Sequence, residues 1–212
     1  MRILVANDDG IESEGIKTLA KVLSKRHKVT IVAPDGNRSA FSHSLTISKN
    51  LIFKEVKVSD DFDAYTVSGT PADCVKFALH YFTDEKFDMV CSGINMGNNL
   101  GSDIMYSGTV AAAVEANFLG LKSIAFSNTG RKDFDFSANA AVIEKISDVV
   151  LFEYFEYSSV ILVVLVGVFE FVSHRAERRS GGVFKREQFF FVLFAYIEKV
   201  LVQNAFYAVM SA

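Results

Sequence analysis

The sequence predicts an α/β protein: a mostly parallel sheet flanked by helices. Two observations carry this. Short apolar, β-branched runs alternate with segments of helical spacing, and polar, turn-rich loops follow the runs. In such sheets a ligand site lies beyond the carboxyl ends of the strands. Four loops, at 7–10, 34–45, 92–107 and 127–136, are expected to gather along that edge.

Ile3 to Ala6 is the first apolar run, suited to a strand covered on both faces. Asn7-Asp8-Asp9-Gly10 interrupts it, and Ile16, Leu19, Ala20 and Leu23 follow at helical spacing opposite Lys17, Lys21 and Lys25. Val29 to Ala33 is a second buried strand ended by Pro34, which completes one β-α-β unit. Residues 46–67 contain alternating stretches such as Phe53 to Val58 that suit a small hairpin. Thr70-Pro71 announces a helix, with Thr70 as N-cap and Pro71 in the first turn. Residues 88–91 read as a strand, 92–107 as a long Gly/Asn/Ser loop, about 109–119 as a small-residue helix, 124–126 as a strand and 141–150 as a helix.

Residues 1–150 form the expected core domain, and composition changes abruptly after it. Residues 151–212 contain no Asp, Pro, Thr or Cys, yet hold half of the 20 phenylalanines. That Phe-rich tail reads as a frameshifted or replaced segment. Val160 to Phe169 and Phe189 to Phe194 are too short to span a bilayer, and they lack the turn residues that fix strands in register. The tail is expected to form helices or disordered segments packed loosely on the core. Glu170 and the run Arg175 to Arg179 close the 155–172 segment early, which disfavours a membrane partner.

Composition narrows the function classes. The chain has 212 residues, half of them apolar and 22% charged, which excludes a disordered chain. Its net charge is −3, and the first 150 residues lack the basic, aromatic-interleaved patch that a nucleic-acid polymer requires. Cys74 and Cys91 sit in apolar runs as buried thiols, without metal spacing or a disulfide framework. The first apolar run is too short for a signal segment, so a cytoplasmic location is expected.

Chemistry concentrates in the loops. Asp8 and Asp9 are adjacent carboxylates at a strand end, a repulsive arrangement unless a cation joins them; an Asx turn or helix cap is the plainer alternative. Ser39, Ser42 and Ser44 recur after the second strand, where hydroxyls suit a phosphate or a hard metal. Ser92-Gly93-Ile94-Asn95-Met96-Gly97-Asn98-Asn99-Leu100-Gly101 combines glycines, which admit a ligand to the backbone, with carboxamide oxygens. Ser107-Gly108-Thr109 opens a helix, and N–H groups at a helix start favour phosphate. Carboxylate, hydroxyl and carboxamide oxygens suit Mg²⁺ or Mn²⁺ rather than zinc. His43 is the only histidine in these loops, and a lone loop histidine is more often solvated than catalytic.

Five segments together resemble the survival protein SurE family. They are Asn7-Asp8-Asp9-Gly10, Asn37-Arg38-Ser39, Ser-Gly-Thr-Pro-Ala-Asp at 68–73, Ser-Gly-Ile-Asn at 92–95 through Asn99 and Gly101, and Tyr-Ser-Gly-Thr-Val-Ala-Ala-Ala at 106–113. The resemblance covers about residues 1–150. It implies a Rossmann-like core that hydrolyses nucleoside monophosphates, or other small phosphoesters, with one divalent cation per subunit. It places the metal ligands on Asp8, Asp9, Ser39 and Asn95, with Asp8 and Asp9 as the catalytic residues. Ser107, Gly108, Thr109 and Asn99 are expected to bind substrate. The attacking group is expected to be water acidified by the cation, with Asp8 or Asp9 as general base or covalent nucleophile left open as alternatives. The family also implies a homodimer or tetramer. A module that binds nucleotides without turnover is the alternative, because the tail departs from the family pattern.

Overall fold

Side chains alternate in face along the first strand, and from Ile3 to Ala6 both faces are buried. Leu4 and Ala6 join one apolar cluster with Val32, Val67, Cys74, Val75, Ala78, Val90, Ala112 and Ala116, while Ile3 and Val5 point the other way, and all four are fully buried. A central strand of a two-sided sheet requires this pattern. The computed structural model describes residues 1–84, 86–99 and 101–128, then Phe136, Ala140, Ile143, Glu144 and the backbone of 161–166.

Among the described residues the strands are β1 (Arg2–Ala6), β2 (Lys28–Pro34), β3 (Phe53–Glu55), β4 (Asp63–Val67), β5 (Met89–Met96), β6 (Lys122–Asn128) and β7 (Ile161–Val166). They form one sheet in the order β3-β4-β2-β1-β5-β6-β7, parallel throughout except for the antiparallel β3–β4 pair. The chain runs outward from β1 to β2, then returns to place β5 on β1's other side. This puts the topological switch point at the end of β1, where ligands of open α/β sheets bind.

Among the described residues three helices cover the sheet: α1 (Glu14–Ser24), α2 (Pro71–Tyr81) and α3 (Gly108–Phe118). Helix α1 packs on β1, β2 and β5, whereas α2 and α3 pack on each other and contribute together to the cluster around Leu4 and Ala6. Thr70 caps α2 as the sequence predicts. Its side chain accepts from Asp73 N at 3.1 Å, and the Asp73 carboxylate accepts from Thr70 N at 2.8 Å, closing a reciprocal capping box.

Four expectations are refined or corrected. The strand at 88–91 extends to Met96, and residues 101–106 form a 3₁₀ turn, so the long loop read at 92–107 is much shorter. Helix 109–119 begins at Gly108 and ends at Phe118, and strand 124–126 spans 122–128. Residues 161–166 form neither helix nor disorder. They pair in parallel with β6, Ser123 opposite Ile161 through Asn128 opposite Val166. An apolar run without turn residues suits a strand inside a parallel sheet, because the neighbouring strand sets its register. The compact unit holding all these elements runs from Met1 to Gly167. The rest of the tail, most of the helix expected at 141–150 and the loop at 129–135 lie outside the described residues. No helix among the described residues is long and apolar enough to cross a membrane.

Candidate active site

Asn7 organises the turn that presents the two carboxylates. It is fully buried, donates from Nδ2 to Gly10 O at 2.9 Å and to Ser13 Oγ at 2.8 Å, and accepts from Gly10 N at 3.2 Å. These bonds tie the end of β1 to the start of α1, leaving Asp8 and Asp9 between them at the switch point.

Asp8 is buried and accepts from Thr109 Oγ1 at 2.5 Å. Burial raises its carboxyl above the usual range, opposed by the Thr109 hydroxyl and by the backbone amides at 108 and 109. Asp9 is pushed up to about 6, by burial first and by the charge of Asp8 second; the N–H of Met96, 3.5 Å from Oδ2, acts in the opposite direction. Among the described residues neither carboxylate forms an ion pair. The nearby guanidinium of Arg38 is turned away, with NH2 on Asp35 at 2.6 Å and NH1 on Asn37 O at 3.0 Å.

Three remote segments converge on the pair. Arg38 N donates to Asp8 O at 2.6 Å, which brings the loop with Ser39 beside the turn, and Ser39 N is held by Asn37 Oδ1 at 2.9 Å. The end of β5 reaches Asp9 through Met96. A register irregularity between Ser92 and Asn95 interrupts the β5–β6 ladder there, and Gly93 sits in it at φ +127°, where a Cβ would fall 2.3 Å from Phe126 O. Such irregularities re-aim side chains at sheet rims; Asn95 follows at once, its Nδ2 donating to Gly97 O at 3.0 Å. The third segment is the start of α3. A Cβ on Gly108 would lie 2.7 Å from Asp8 Cβ and 3.0 Å from Pro71 Cγ, so only glycine lets the helix approach the carboxylate this closely.

The structure thus gathers Asp8, Asp9 and the segments carrying Ser39, Asn95 and Ser107–Thr109. The helix start also has partners inside the protein. Its hydroxyls and amides engage the protein itself: Thr109 on Asp8, and Ser107 Oγ accepting from Val110 N at 3.1 Å. Asn99 is buried and donates to Ser127 Oγ at 2.7 Å, which fixes its amide against the end of β6.

The donor set fits a hard divalent cation. Two desolvated carboxylates repel each other, and neutral oxygens stand on neighbouring segments. Among the described residues no group of three or more His, Cys, Asp or Glu is placed to hold a metal.

Sequence reasoning missed two partnerships. Asn7 was part of a quoted motif without a role of its own. His43 is not a solvated loop histidine: its Nε2 lies 2.8 Å from Oε2 of the buried Glu115, and its ring stacks on Phe118. A carboxylate inside an otherwise uncharged helix is the signal that could have pointed there.

The family model described as survival protein SurE matches residues 3–170, most of the chain. The chain belongs to the SurE family. The 5'-nucleotidase SurE of Clostridium botulinum strain 657 is 56% identical over 127 residues, 60% of this chain and 50% of the relative. That of Pseudothermotoga lettingae is 47% identical over 136 residues, 64% of this chain and 52% of the relative. The crystal structure of the SurE protein from Aquifex aeolicus superposes with a TM-score of 0.67 at 38% identity, covering 78% of this chain and 66% of that one. The SurE match reaches past β7, so this strand lies within the family region. The chain spans about half the length of the curated relatives it matches.

Proposed function

We propose that this SurE-family chain is a divalent-metal-dependent phosphomonoesterase that converts nucleoside monophosphates to nucleoside and phosphate. The observation that carries the reading is the Asp8–Asp9 pair: two adjacent carboxylates at the switch point, both raised by burial, without an ion-pair partner among the described residues. Similarity to relatives named 5'-nucleotidase supports the substrate class.

Asp8, Asp9, Ser39 and Asn95 would hold one Mg²⁺ or Mn²⁺. When bound, such a cation offsets phosphate charge and acidifies water. The chain's own residues do the rest. Asn7 sets the carboxylate turn, and Thr109 with Gly108 fixes Asp8 in one orientation. Asn99, Ser107 and Thr109 line the approach for the phosphate, with Ser107 and Thr109 contributing chiefly by ordering the first turn of α3. Asp9 is the more accessible of the two carboxylates, and as a ligand to the cation it would stay ionised. We take the protein to act in the cytoplasm as a homodimer or tetramer, in line with the family resemblance.

Binding without turnover is the second reading, because the Phe-rich tail departs from the family pattern. Phosphate release from a panel of nucleoside monophosphates, with and without Mg²⁺ or Mn²⁺, separates the two. Metal-dependent release supports the hydrolase. Nucleotide binding with no release supports the module.

A further inference from the structure

The loop after β2 carries Ser39 on strained backbone. Ala40 and Ser42, on either side of Phe41, have φ of 61° and 52°, a region that residues with a Cβ rarely occupy. Such a conformation persists only where surrounding contacts over-determine it. Those contacts are present along the whole loop. Arg38 N holds Asp8 O at 2.6 Å and Ser42 N donates to Tyr106 O at 3.2 Å. Thr70 Oγ1 donates to Ser44 O at 2.7 Å, and Thr46 donates to the Asp73 carboxylate from Oγ1 at 2.6 Å.

Between these tethers His43 reaches Glu115, with its ring stacked on Phe118 of the same helix. Helix α3 is otherwise small and uncharged, with Ala111, Ala112, Ala113 and Ala116 all buried. Burying a carboxylate in such a helix is unfavourable unless it is partnered, and an apolar residue in its place would stabilise as well or better. Glu115 has two partners: Lys76 Nζ from α2 lies 3.7 Å from Oε1, and His43 Nε2 lies 2.8 Å from Oε2. Lys76 balances the charge; His43 is the partner that belongs to the loop. The same helix holds Asp8 through Thr109, six residues or about 9 Å along its axis. Helix α3 is therefore a rigid strut bonded to the carboxylate turn near one end and to the Ser39 loop near the other.

We propose that His43 and Glu115 are positioning residues that latch loop 37–46 to α3 and so fix Ser39 relative to Asp8 and Asp9. The proposal rests on the reading of that site as one for a divalent cation and a phosphomonoester. The test uses the full chain, His43→Ala, and His43→Gln, whose amide nitrogen reaches the place of Nε2. Two readouts are needed: amide hydrogen exchange over 37–46 without metal, and Mn²⁺ affinity by titration calorimetry. In His43→Ala, exchange over 37–46 rises while residues 3–6, 29–33 and 89–92 stay protected, and Mn²⁺ affinity falls about ten- to hundredfold, as for other residues that orient a metal ligand. His43→Gln restores both. Unchanged loop exchange in His43→Ala overturns the latch, and faster exchange with unaltered Mn²⁺ affinity overturns the positioning role. A wild-type chain that binds no Mn²⁺ contradicts the metal-site reading instead, and the latch is then decided by the exchange data.

Discussion

Asp8 and Asp9 stand side by side, Asp8 raised by burial and Asp9 raised to about 6 by burial and then by the charge of Asp8. A carboxyl whose folded pKa lies above its unfolded value favours the fold in its protonated form. That contribution is fully present below about pH 3.8 and is lost as pH rises through about 6. The metal-free protein therefore holds a destabilising charge pair at neutral pH. Asp9→Asn, measured in chelator by thermal melting, should be more stable than wild type at pH 7.5 by about 1 kcal/mol once solvent screening is allowed for. The difference should vanish near pH 4. Equal melting temperatures at both pH values would show that the carboxylates do not oppose each other.

Gly108 gives a second residue-level prediction. Valine there would press on Asp8 Cβ and Pro71 Cγ, an overpacking of about 1–3 kcal/mol. Displacing Asp8 should also weaken Mn²⁺ and phosphate binding, and calorimetry on the folded variant reads both. Unchanged affinities would detach the start of α3 from the site. Much at this scale was legible. Asp-Asp after a strand, hydroxyls after the next, and an amide-rich segment after the fifth strand all converge on one place. What sequence could not supply was pairing across distance. The Thr109 hydroxyl is bonded to Asp8 at 2.5 Å and His43 meets Glu115 on α3, and neither partner is near in sequence.

Elements were legible wherever their local chemistry was decisive. Thr70-Pro71-Ala72-Asp73 specifies a helix start, and the capping box forms as written. Thr70 does more than cap α2, because its hydroxyl also donates to Ser44 O in the Ser39 loop. Thr70→Ala should therefore lose about 1 kcal/mol, a fall of roughly 3 °C in Tm for a chain of this size. It should also loosen residues 44–46, readable by hydrogen exchange. A fall in Tm without faster exchange at 44–46 would confine the residue to capping. Two elements were misread for a shared reason. Glycines at 93 and 97 suggest a loop, yet β5 runs on to Met96 because β6 supplies a ladder that resumes at Asn95 beyond the irregularity at 93–94. Val160 to Phe169 lacks turn signals, yet 161–166 pairs with β6, since register in a parallel sheet comes from the adjacent strand.

At the scale of the whole molecule, the sheet order explains why the candidate site forms at all. Strands β1, β2 and β5 are parallel neighbours in space, so the loops after them meet at one edge although they begin near residues 7, 35 and 97. The alternation of runs and helices made that edge predictable, whereas the closing strand β7 depends on contacts that no local pattern announces. The central claim is that this edge hydrolyses phosphomonoesters through a cation held by Asp8 and Asp9. The most direct measurement is inorganic phosphate released from nucleoside monophosphates by wild type and by Asp9→Asn, each with and without Mn²⁺. The account predicts release by wild type only with the cation, and a loss of at least about a hundredfold in the folded Asp9→Asn protein. Release that is independent of the cation, or equal in the two proteins, would contradict it.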